Sequence, residues 1–145
     1  MKKLKFETDI NAPADKVWNA LWNDQNYTDW TSGFSEGSTM KSDWQIGGRT
    51  LFVDPENNGM IATITDLEPN KKVHFKHIGH IMKGVEDTES DEVKDFAGAM
   101  ETYDLQENDG VTHLVMSVDV TEKWEEMMTD GFTKGMQRIK ELAEK

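Results

Sequence analysis

Trp124-Glu125-Glu126-Met127-Met128-Thr129-Asp130-Gly131-Phe132-Thr133-Lys134-Gly135-Met136-Gln137-Arg138-Ile139 decides how this chain folds. Within it Trp124, Met128, Phe132, Met136 and Ile139 recur at the spacing of one helix face. Gly131 and Gly135 sit inside the same stripe. Each costs a helix interior about 1 kcal/mol relative to alanine, so the pair requires a structural reason. Either another backbone approaches closely there, or space lies open beside the helix. We read the pair as the mark of a void. On that reading, alanine or leucine at either position stabilises the fold and reduces ligand uptake.

The chain upstream of this helix reads mainly as strands. Val111 to Val120 and Ala99 to Gln106 form a hairpin closed by Asn108-Asp109-Gly110. Arg49 to Val53 and Met60 to Leu67 form another, around Asp54-Pro55-Glu56-Asn57-Asn58-Gly59, whose Asn-Gly pair signals a turn. Glu68-Pro69-Asn70 turns the chain into a strand from Lys72 to Ile81. Lys3 to Ile10 alternates as a first strand. Pro13 then opens a helix that offers Val17, Trp18 and Leu21 to a core and ends at Trp22. Asn23 or Asp24 caps a second short helix reaching Trp30. Thr31 to Lys41 reads as loop, Trp44 and Ile46 as a brief strand, and Lys83 to Asp95 as a loop with a short helical turn.

This order gives an α+β, helix-grip fold. A curved antiparallel sheet of about six or seven strands wraps around a long C-terminal helix, with two short helices after the first strand. Residues 1–145 form a single domain, as the length implies. The formal charge of -12 argues against nucleic acid and anionic membrane surfaces as partners, since both require clustered Lys and Arg. With no cysteine there is no disulfide, thiolate metal site or thiol nucleophile. Met1-Lys2-Lys3-Leu4-Lys5-Phe6 lacks the apolar run of a signal peptide, and no segment reaches membrane-spanning length, so a cytoplasmic location is expected.

Ile10-Asn11-Ala12-Pro13-Ala14-Asp15-Lys16-Val17-Trp18-Asn19-Ala20-Leu21 resembles the opening signature of the START-like, or SRPBCC, superfamily. Trp30, then Trp44 followed by Gly47, continues it; Gly59 to Pro69 resembles the third and fourth strands, and Phe132 to Lys140 the closing helix. Gly98-Ala99-Met100-Glu101-Thr102-Tyr103 is similar to bacterial members of the branch named for homology to the heat-shock-protein-90 ATPase activator. The resemblance implies a cavity between sheet and C-terminal helix. It also implies a lipid-like or aromatic ligand, with cyclase or dehydratase activity and chaperone interaction as alternatives.

The residues themselves offer little defined chemistry. His77 and His80 lie three apart, which places them on opposite faces of a regular strand, and His74 and His80 are separated by about 20 Å of rise. None of the four histidines makes a metal-ligand pair, so no metal site is read. The acidic run Glu86 to Glu92 lacks the alternating pattern of a calcium loop. No nucleophile elbow or cofactor motif is present, and no catalytic residue is assigned. Glu101 and Tyr103, two apart on one strand face, are the best acid/base suspects, and His113 is a further candidate for the enzymatic alternative. The expected ligand-binding set is Trp44, Phe52, Phe75, Glu101, Tyr103, Met116, Met128, Phe132 and Met136, since aromatic and thioether groups make adaptable apolar walls.

Overall fold

The structure, a computed structural model, describes all of residues 1–145. β1 (Lys2–Ile10) leads into α1 (Ala14–Trp22) and α2 (Asp24–Trp30). There follow β2 (Thr39–Ser42), β3 (Arg49–Val53), β4 (Gly59–Glu68), β5 (Lys72–Met82) and β6 (Val85–Asp87). One helical turn, α3 (Asp91–Lys94), precedes β7 (Met100–Asn108), β8 (Val111–Val120) and α4 (Glu125–Ala143). The strands form one antiparallel sheet in the order β1-β8-β7-β5-β4-β3-β2, with β6 attached to β5. No helix is long and apolar enough to cross a membrane.

The α+β helix-grip fold expected from the sequence is the one that forms, with eight strands rather than six or seven. The additional strands are short: β2 begins within the stretch read as loop, and β6 lies in the segment after Lys83. Conversely, Trp44 and Ile46 form no strand. Trp44 adopts a left-handed backbone (φ 54°), its amide donating to Ser42 Oγ at 3.0 Å. Pro13 precedes α1 as its cap rather than serving as its first residue. At the β7–β8 turn, Asp109 and Gly110 both take positive φ (52° and 80°), as a two-residue hairpin loop with strand-matching twist requires.

Alternation along the central strands sends one set of side chains inward. Val73, Phe75 and His77 of β5 are buried, as are Tyr103 and Leu105 of β7 and Leu114, Met116 and Val118 of β8. Opposite them, Thr102 bonds Ser117 across strands at 2.6 Å and His74 pairs with Asp104 at 2.9 Å. Register shifts between β4 and β5, at Ile61/Ala62 and Ile64/Asp66, bend the sheet.

The α1–α2 corner and α4 together cover the inner face. Asn23 Oδ1 accepts from the amides of Gln25 and Asn26 (3.1 and 3.3 Å), so α1 ends and α2 begins around one residue. This corner places Trp22 and Trp30 over the middle of the sheet, with Trp30 Nε1 donating to Leu21 O at 2.9 Å. α4 lies toward β1, where Phe132 stacks on Phe6 at 5.5 Å between centroids. It also braces α2 through a two-bond contact from Arg138 to Asp29 (2.7 and 2.9 Å).

The glycines of α4 mark contact, not a void. A Cβ on Gly131 would overlap the Phe34 ring, and one on Gly135 would lie 2.9 Å from Trp30 Cε3 and 3.2 Å from the Trp30 carbonyl oxygen. The space expected beside them is therefore occupied by aromatic rings from the segment after α1. Trp124 also leaves the buried stripe: it precedes α4 on a 3₁₀ turn and is 46% exposed.

Candidate functional site

The site is organised by Trp22, the last residue of α1. Its ring meets Tyr103 edge-on at 4.8 Å, Phe75 at 5.8 Å and Trp44 at 5.5 Å, and lies nearly parallel to Tyr27 at 6.2 Å. Such edge-to-face pairs align the positive ring edge with the negative face of a neighbour. A recess of about 330 Å³ opens beside it, walled by Trp22, Tyr27, Met40 and Trp44 with the exposed Asp24 and Lys41. The left-handed backbone at Trp44 is strained for so bulky a residue; it sets that ring against Trp22.

Behind the aromatic wall runs a buried polar chain. The Tyr103 hydroxyl donates to Glu101 Oε2 at 2.5 Å, and Glu101 Oε1 lies 3.0 Å from His77 Nε2. The strand geometry explains the meeting. Glu101 and Tyr103 share the inner face of β7, and Glu101 pairs across strands with Phe75, which puts His77 on the neighbouring diagonal. The His77 side chain is 8% exposed and that of Glu101 15%.

Burial, first, and then the nearby Glu101 carboxylate push the phenol ionisations of Tyr27 and Tyr103 well above the ordinary tyrosine value; the hydrogen bond to Glu101 raises that of Tyr103 further. Tyr103 is thus a donor at neutral pH. With Nε2–H donating to Glu101, His77 Nδ1 is left as a lone-pair acceptor, and that atom is buried without a partner. Trp22 Nε1 is buried and unpartnered as well.

The expected residues divide into two groups. Trp44, Phe52, Phe75, Glu101 and Tyr103 gather around Trp22 and His77, with Phe52 5.2 Å from Phe75 and 5.9 Å from His77. Met116 sits opposite Tyr103 on β8. Phe132 instead packs between Phe6 and Phe34, while Met128 and Met136 belong to the α4 side of the core. His113 takes no part: it is 40% exposed and pairs with Asp9 at 2.7 Å.

Trp22, Tyr27 and His77 join the candidate set from the structure, not from the sequence. The signal for His77 was present, since it continues the Val73, Phe75 alternation as a polar residue on an otherwise apolar face.

No group of three or more His, Asp or Glu side chains is arranged to hold a metal ion. In the acidic run, Asp87 is committed to turn formation. The Ser90 side chain, followed by the amides of Ser90 and Glu89, holds its carboxyl at about 2. Glu86 pairs with Arg49 at 2.5 Å.

An α+β chain whose antiparallel sheet grips a long C-terminal helix has the START-like fold. The chain belongs to the family of Activator of Hsp90 ATPase homolog 1-like proteins, whose model matches residues 11–144. Among solved structures, protein MLL2253 from Mesorhizobium loti is similar over 97% of this chain and 96% of its own (16% identity, TM-score 0.73). The Aha1 dimer from Colwellia psychrerythraea matches over 99% and 97% (16% identity, TM-score 0.71). DynU16, a protein of the dynemicin biosynthetic locus, matches over 97% of this chain and 46% of its own (13% identity, TM-score 0.69). Comparison with curated proteins gives no match.

Proposed function

We propose that this protein binds a small apolar or amphipathic molecule, aromatic or lipid-like, between the sheet and the helices that cover it. The ligand enters at the Trp22–Tyr27–Trp44 recess. Trp44, Phe52 and Phe75 supply the apolar contacts nearest that entrance, with Met116 behind Tyr103; Met128, Phe132 and Met136 pack on the α4 side of the core, outside the recess. Glu101 and Tyr103 supply the polar end.

The observation that carries this reading is the pair of buried, unpartnered nitrogens, Trp22 Nε1 and His77 Nδ1, set in an aromatic cluster beside an open recess. Each unmet group costs roughly 1–3 kcal/mol, and native proteins retain few of them. A ligand with one or two polar atoms on a planar frame relieves that cost while filling apolar space.

Thermal-shift measurements with fatty acids, flavonoids and sterols test the proposal. A ligand at 100 times its Kd stabilises the folded state by about 2.7 kcal/mol, a rise in Tm of roughly 5–10 °C for a chain of this size. The rise is expected for at least one class and is lost in Trp44→Ala. A panel that leaves Tm unchanged throughout overturns the reading.

A further inference from the structure

The geometry points to a catalytic function for the buried chain: His77 is a general base, oriented by Glu101, for proton abstraction from a planar carbon acid. This rests on the small-molecule reading above, because the substrate must enter the same recess, but it assigns a reaction where that reading assigns only binding.

Three observations support it. First, His77 has the arrangement of an oriented base. One ring nitrogen is fixed on a carboxylate at 3.0 Å and the other is buried without a partner. Each of the other histidines also faces a carboxylate, at 2.7–3.4 Å, but their side chains are 13–40% exposed against 8% for His77. An imidazolium formed at His77 is therefore stabilised by Glu101 in a largely water-excluded setting.

Second, Glu101 is itself held. Its second oxygen accepts from Tyr103, whose phenol stays protonated, so both carboxylate oxygens are committed and the carboxylate's orientation is fixed.

Third, the Phe52 ring neighbours both the base and the recess wall. Phe52 lies 5.9 Å from His77 and 6.4 Å from Tyr27, and it pairs across strands with Met40. Tyr27 and Met40 both wall the recess. On this proposal, displacement of the half-buried Phe52 ring opens the path from the recess to His77.

In the step, the Nδ1 lone pair takes a proton from carbon, the C–H electron pair moves into the substrate, and His77 carries the proton as imidazolium until it passes to water. The substrate class is a planar compound with an activated C–H. 5-Nitrobenzisoxazole is a suitable probe because its reaction needs only a base. The C3 proton moves to Nδ1, the C–H electrons complete the nitrile, and the N–O bond breaks to release a coloured phenolate. 5-Nitroindazole, whose ring has an N–N bond where the probe has the scissile N–O bond, reports binding alone through quenching of tryptophan fluorescence.

The wild-type protein is expected to eliminate 5-nitrobenzisoxazole roughly 100-fold faster than free imidazole at equal concentration, within the range of general-base catalysis. His77→Gln loses at least tenfold of that rate. Glu101→Gln, a positioning change, lowers kcat while the Kd for 5-nitroindazole holds. Phe52→Ala raises the rate, and adding His77→Gln removes the gain.

Elimination at the wild-type rate by His77→Gln, alone and in the Phe52→Ala background, overturns the assignment; retained 5-nitroindazole binding in those variants shows them folded and leaves the binding reading standing. Absence of both binding and elimination in the wild type overturns both.

Discussion

Replacing Gly135 by alanine measures what the glycines of α4 are for. On helix propensity alone the change stabilises by about 1 kcal/mol. The structure opposes that gain. The new Cβ would meet Trp30 Cε3 at 2.9 Å and the Trp30 carbonyl oxygen at 3.2 Å. Trp30 has little freedom to withdraw, being 3% exposed and tied by Nε1 to Leu21 O at 2.9 Å. Overpacking of this kind costs about 1–3 kcal/mol, so the net change is a destabilisation of roughly 1 kcal/mol. For a domain of this size that lowers Tm by about 2–4 °C, measurable by calorimetry alongside urea unfolding with an unchanged m-value. Gly131→Ala has a softer obstacle, the half-buried Phe34 ring, and loses less by displacing it. A Gly135→Ala protein more stable than wild type by about 1 kcal/mol would refute the contact reading and restore open space beside the helix.

Other outcomes follow from the same geometry. Tyr27 and Tyr103 are the only tyrosines, and both ionise well above about 10 in the folded state. Above that pH the unfolded chain releases two protons that the folded one keeps, so stability is lost as pH rises. The slope is about 1.4 kcal/mol per unit for each tyrosine. Tyrosinate absorbance should therefore appear only together with unfolding, and Tyr27→Phe should halve this component; tyrosinate in a still-folded protein contradicts it. At the acid end, Asp29 is held low chiefly by its hydrogen bond to Arg138, and Glu144 by Lys140. Their stabilisation is full above the unfolded carboxylate values near about 4 and fades as pH falls through the lower folded values; urea midpoints for Asp29→Asn should differ from wild type at pH 7 and converge with it at about pH 2. Thr112→Val should cost about 1–3 kcal/mol in urea unfolding, because the buried hydroxyl donates to Ala12 O at 2.7 Å and its loss leaves that carbonyl short of a partner.

The helix-grip arrangement was legible because its long elements carry strong periodicity. β8 matches its expected bounds, β5 and α1 nearly so, and the β7–β8 turn announced itself through Asn108-Asp109-Gly110; in the β3–β4 loop the left-handed residue is Asn57, and Gly59 of the expected Asn-Gly turn already belongs to β4. β2 and β6 were not legible: strands of four and three residues are held by backbone pairing and offer no side-chain pattern to read. Glu101 and Tyr103 were found by their two-residue spacing, which fixes a shared face whatever the neighbours. Trp22 was seen only as the end of a helix, because its importance comes from the Asn23 corner that turns it onto Tyr103 and Phe75. The glycines were misread because a sequence shows that a side chain is missing but not what fills its place. Here Phe34 and Trp30 do so, from a segment about a hundred residues earlier.

The central claim is that a planar ligand binds beside Trp22. Its most direct test follows the five indole N–H resonances of the ¹⁵N-labelled protein during titration with 5-nitroindazole. Trp22 Nε1–H, without a partner in the free protein, should shift most, together with Trp44, while the exposed Trp124 stays in place. Saturating shifts confined to Trp124, or no saturating shift at Trp22 and Trp44, would contradict the account.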